Sequence, residues 1–83
     1  MATEEASREF ARLRWQCRRG MLELDEILDG YLLQRYRQAD AAEQAAFRLL
    51  LTQQDPQLQQ WLLLGKEPDD MDLRVIVRRL RES

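Results

Sequence analysis

The sequence contains no histidine. That removes the commonest general base and the commonest metal-ligating side chain together. A single cysteine, Cys17, rules out an internal disulfide, and without histidine it has no partner for a cysteine–histidine nucleophile pair. A reducing compartment fits such a chain. Glycines stand singly at 20, 30 and 65, so no glycine-rich phosphate loop is present. No apolar run approaches the roughly 18 residues of a membrane span, and no membrane insertion is expected. The N-terminal stretch Met1-Ala2-Thr3-Glu4-Glu5 is acidic and lacks an apolar core, unlike a signal or transit peptide. A cytoplasmic protein is expected.

What remains is short and charged. The 83 residues make a single domain, with fraying expected at 1–5 and 82–83. A domain of this size buries only about 60% of its unfolded surface, which leaves little room for a deep catalytic cleft. Fifteen acidic residues against thirteen basic ones give a net charge of -2, which speaks against a nucleic-acid partner. Twelve of the basic residues are arginine and only Lys66 is lysine. Arginine forks favour protein contacts, and a GC-rich coding bias also produces arginine, so both origins stand. The carboxylate clusters Glu23/Asp25/Glu26 and Asp69/Asp70/Asp72 fall at expected helix starts. Favourable interaction with the helix dipole accounts for them, and no metal site is assigned.

Helical periodicity covers nearly the whole chain, and no strand-like alternation is visible. An all-α fold of five helices is expected. The first runs from about Glu4 to Arg18 behind a Thr3 cap, with Ala6, Phe10, Leu13 and Cys17 on one stripe, and stops at Gly20. The second runs from about Met21 to Arg37, acidic at its start and basic at its end, with Leu24, Ile27, Leu28, Tyr31, Leu32 and Tyr36 as its apolar face. Asp40 opens the third, with Glu43 at capping-box spacing and Ala46, Phe47, Leu50 and Leu51 inside. Asp55 as cap and Pro56 as first residue start the fourth, whose Leu58, Trp61 and Leu62 point inward before Gly65 ends it. Asp69 or Asp70 caps the fifth, which buries Leu73, Ile76, Val77 and Leu80. The expected core comprises Phe10, Leu13, Ile27, Leu28, Phe47, Leu50, Leu62, Ile76, Val77 and Leu80.

The segment from Arg12 to Asp25 departs from this plain bundle pattern. Stepping about 100° per residue from Phe10 keeps Leu13 and Cys17 on the apolar side and puts Arg8, Arg12 and Trp15 opposite, with Arg19 joining them if the helix reaches it. Tryptophan and arginine are the residues most enriched at interface hot spots. Packing of Trp15 under another helix is the competing account, and the pattern leaves both open. Gly20 suits a helix end with φ > 0. If it breaks the helix, Arg19 and Glu23 become two exposed charges at a corner.

Those residues carry a resemblance. Arg19-Gly20 with Glu23 matches the Arg-Gly-x-x-Glu signature of the SdhE/YgfY family, the succinate dehydrogenase assembly factors or flavinators of bacteria. Arg12, Leu13, Trp15 and Cys17 upstream and Leu24 and Asp25 downstream are similar to the family's flanks. So are Asp55, Pro56, Leu58, Trp61 and Leu62, followed by the Gly65 to Pro68 turn. The likeness spans roughly residues 8 to 80 and departs mainly at Gly30 and Leu32-Leu33. The resemblance implies a five-helix bundle, not an enzyme, that binds the flavoprotein subunit of succinate dehydrogenase or fumarate reductase and promotes its covalent flavinylation. It implies a partner-binding surface at Arg19, Gly20 and Glu23, extended here to Arg8, Arg12, Trp15 and Asp25. FAD then acts in the partner, with none bound tightly by this chain. The linkage itself belongs to the flavin and a flavoprotein histidine, a residue this chain lacks. The alternative is a regulatory binding module such as the antitoxin of a toxin–antitoxin pair.

Overall fold

Ala2–Gln16 form the first helix, α1, in a computed structural model that describes residues 2–82, with side chains from residue 5 onward. The helix extends across Thr3, which is therefore not its cap, and the Thr3 and Glu4 side chains lie outside the described residues. The fraying expected at the two ends also falls partly outside them. Leu13 and Cys17 are buried, as the stripe predicts, while Phe10 sits at the margin with the Arg37 guanidinium 4.4 Å above its ring. A cation over an aromatic face is itself favourable, so Phe10 is capped by arginine where a core position was expected.

Helix α2 spans Leu22–Gln34, and Leu24, Leu28, Tyr31 and Leu32 are its buried face. It ends three residues before the expected Arg37. The chain then tightens into a 3-10 turn at Tyr36–Gln38, where the Gln38 and Ala39 amides bond to the Arg35 carbonyl at 3.1 Å each. The tighter turn brings the Tyr36 ring to 5.5 Å from Phe47, beside Tyr31 at 4.6 Å from the same ring. Such aromatic clustering adds about 0.5–1.5 kcal/mol per pair beyond area burial. Ile27, expected inside, packs on the edge of the core.

Helix α3, Ala41–Leu51, begins as the sequence predicts: the Asp40 carboxylate accepts the Glu43 amide at 2.8 Å. The Glu43 carboxylate accepts the Tyr31 hydroxyl and lies 3.6 Å from Arg79, so it ties three helices together. Helix α4 spans Asp55–Leu62. Its cap is Gln54, not Asp55, which is already helical and has turned its carboxylate to Arg19. After α4, Gly65 takes φ +78°, letting the Lys66 amide reach the Gln60 carbonyl at 2.9 Å.

Asp70 accepts the Leu73 amide at 3.1 Å and starts helix α5, Met71–Glu82. Its Arg74, Arg78 and Arg81 converge on Glu67, at 3.9, 3.1 and 3.4 Å. Leu73, Ile76, Val77 and Leu80 close the core, in which α2, α4 and α5 pack against one another and α3 lies along α5. Among the described residues there are five α-helices and no strand, and no helix is long and apolar enough to cross a membrane. The all-α bundle is the fold expected from periodicity.

Candidate functional site

The corner between α1 and α2 is built from five residues. Past Gln16 the Cys17 and Arg18 amides still find carbonyls of α1, Leu13 at 3.0 Å and Trp15 at 3.1 Å. Cys17 turns fully inward, and burial, with Asp29 nearby, pushes its thiol up to about 12. Gly20 takes φ +78°, and a Cβ added there would meet nothing within 4 Å. Glycine is required by the backbone turn and not by lack of space. The Asp25 carboxylate reaches back from α2 to accept the Arg19 amide at 2.7 Å, and the Met21 thioether accepts from Gln59 of α4 at 2.8 Å.

Arg19 is the centre of this corner. The sequence predicts an exposed charge; its side chain is only 15% exposed. Its Nε donates to the Gln16 carbonyl at 2.9 Å. Its Nη1 donates to the Gln53 carbonyl at 3.2 Å and to Asp55 at 3.3 Å, and its Nη2 donates to the Leu51 carbonyl. Leu51 is the last residue of α3, whose final carbonyls have no partner within the helix and carry the negative end of its dipole. A guanidinium satisfies them with a fixed fork that a lysine lacks. The side chain is inward because these acceptors lie there, which helix periodicity counted along α1 does not register.

The other expected site residues divide cleanly. Gly20 and Glu23 are exposed at the corner, and Arg8 and Arg12 are exposed along α1. Trp15 is 72% exposed, so it is not a core residue. Asp25 is half-buried and engaged with the Arg19 amide. Two more residues stand at this corner that sequence reasoning did not place there. Leu22, 74% exposed beside Gly20 and Glu23, lies off the Leu24–Leu28 stripe, and an apolar residue off its helix's stripe was the available signal. Asp55 looked complete as a cap, which hid its long-range partner.

Besides a groove of about 490 Å³ lined by Glu9, Phe10, Tyr36, Arg37 and Arg48, two grooves border α1. One, about 500 Å³ between α1 and α2, is lined by Arg14, Cys17, Arg18, Asp25, Glu26 and Asp29, with Arg14 and Asp29 3.4 Å apart across it. The other, about 660 Å³ between α1 and α3, contains Glu5 and Glu9 as well as Arg12 and Arg48. Both are open, and each sets carboxylates beside arginines. Among the described residues no group of three or more side chains is arranged to hold a metal ion.

The family model described as flavinator of succinate dehydrogenase matches residues 11–83. The FAD assembly factor SdhE of Idiomarina loihiensis is 40% identical over 76 residues, covering 92% of this chain and 84% of that protein. That of Pseudomonas aeruginosa is 44% identical over 72 residues, covering 87% and 86%. That of Coxiella burnetii is 38% identical over 71 residues, covering 86% and 87%. No solved structure matches the chain. A family match across nearly the whole chain, with curated relatives aligned over most of their own lengths, means that this protein belongs to the flavinators of succinate dehydrogenase.

Proposed function

We propose that the protein binds the flavoprotein subunit of succinate dehydrogenase, and of fumarate reductase where the host has one, and promotes covalent attachment of FAD to it. The observation that best supports this is the α1–α2 corner itself: Gly20 and Glu23 are offered to solvent on a backbone pinned from both sides by Asp25 and Arg19. Relatives carrying the name FAD assembly factor support the same role. Arg8, Arg12 and Trp15 extend the contact along α1, and Arg19 and Asp25 belong to the site as part of its corner. Tryptophan and arginine are the residue types most enriched at the hot spots of protein interfaces.

The chemical contribution is positional. Holding the partner with its flavin and attacking side chain aligned supplies proximity and shifts its population toward the reactive arrangement. FAD stays with the flavoprotein, and the work takes place in the cytoplasm. Pulldown from the host with the tagged protein tests the assignment. The flavoprotein subunit is expected to co-purify with the wild type and to be depleted with Glu23→Ala. Recovery of a toxin or nucleic acid in its place would overturn the proposal.

A further inference from the structure

Arg19 and Asp55 stand 36 positions apart, one in the Arg-Gly-x-x-Glu segment and the other in the Asp-Pro-x-Leu segment that opens α4. The fold brings them to 3.3 Å. The guanidinium that meets Asp55 also takes the Leu51 and Gln53 carbonyls at the α3–α4 junction and the Gln16 carbonyl at the end of α1. Its own amide is held by Asp25 of α2. One residue thus joins the ends or starts of four helices, and it does so just before a glycine whose backbone is left-handed and whose surroundings are empty.

We infer that Arg19 is a positioning residue, and that Asp55 and Asp25 are positioning residues with it: together they latch the corner so that Gly20 and Glu23 meet the partner preformed. This rests on the partner-binding surface proposed above and assigns a different task to two of its members, Arg19 and Asp25. The geometry favours a latch over a contact for a physical reason. Four donor contacts already occupy the guanidinium, and pulling it out to a partner would leave the Leu51 and Gln53 carbonyls without it. A corner lacking the latch samples other conformations, and the partner then sees only the fraction that is correctly shaped.

The test is affinity for the purified flavoprotein subunit, measured for Glu23→Ala, Arg19→Ala, Asp55→Ala, Asp55→Asn and the Arg19→Ala/Asp55→Ala pair. A latch predicts that Asp55→Ala weakens binding, on the order of tenfold for loss of a preformed loop. It predicts a smaller loss for Asp55→Asn, which keeps an oxygen acceptor, and a double variant no weaker than Arg19→Ala alone. Amide exchange at residues 18–22 should quicken in Arg19→Ala and Asp55→Ala and not in Glu23→Ala, a readout that does not depend on the partner. If Arg19→Ala loses binding while Asp55→Ala binds like wild type with unchanged exchange at the corner, Arg19 is a direct contact and the latch is wrong. Additive losses in the double variant also overturn it. Should Glu23→Ala bind normally, the surface assignment fails independently of whether the exchange measurements support the latch.

Discussion

Arg19 and Glu23 are four residues apart and both charged, yet their surroundings assign them opposite energetic roles. Arg19 leaves three carbonyls and a carboxylate without its donors when removed, so Arg19→Ala is expected to cost about 1–3 kcal/mol in urea unfolding. Glu23 is exposed, and Glu23→Ala should stay within about 0.5 kcal/mol. Cys17 supplies a second residue-scale prediction. Its thiol rises from 9.0 to about 12 in the fold because it is buried, so the folded chain keeps a proton that the unfolded chain sheds near pH 9. The stability from burying the neutral thiol is therefore full below pH 9 and is lost progressively between about 9 and 12. Tyr31, raised by burial and by its bond to Glu43, acts in the same direction at higher pH. Thermal scans from pH 8 to 11 should show a downward slope that is shallower in Cys17→Ala. Iodoacetamide should leave the folded wild type unlabelled at pH 8.

At the scale of elements, the apolar periodicities and the caps were readable because each is a local signal. Asp40 and Asp70 cap α3 and α5 where the sequence places them, and Leu28, Leu50, Ile76 and Val77 are buried on the expected stripes. Asp40→Ala should accordingly cost about 1 kcal/mol in unfolding, with loss of helical signal no larger than the fraction unfolded. What could not be read were features decided by contacts across the chain. The end of α2 moved to Gln34 because Tyr36 turns onto Phe47, and Asp55 gave up a cap for Arg19. For the candidate site, the motif and the exposure of Glu23 were legible, whereas the helical pattern left Trp15 between interface and core and only the folded chain puts it in solvent. The inward turn of Arg19 was not, since its acceptors belong to α3 and to the junction with α4.

Taken whole, the molecule is 41 × 26 × 20 Å, and among the described residues the buried core holds no polar or charged side chain beyond Cys17 and the two tyrosines. Polar ties instead sit at the ends of helices: Glu43 with Tyr31 and Arg79, Glu67 with three arginines of α5, and Arg19 at the corner. A small apolar bundle braced this way should unfold in one cooperative step, so damage at a surface corner can be separated experimentally from damage to the fold. The central claim concerns the corner and the flavin of a partner. It is tested most directly in a host strain lacking this gene, by fluorescence of the denatured flavoprotein subunit, which reports only covalently held flavin. The wild-type gene is predicted to restore the signal, and Glu23→Ala, confirmed as folded, to leave it low. Equal restoration by Glu23→Ala, or a signal in the deletion strain as strong as in the parent, would contradict the account.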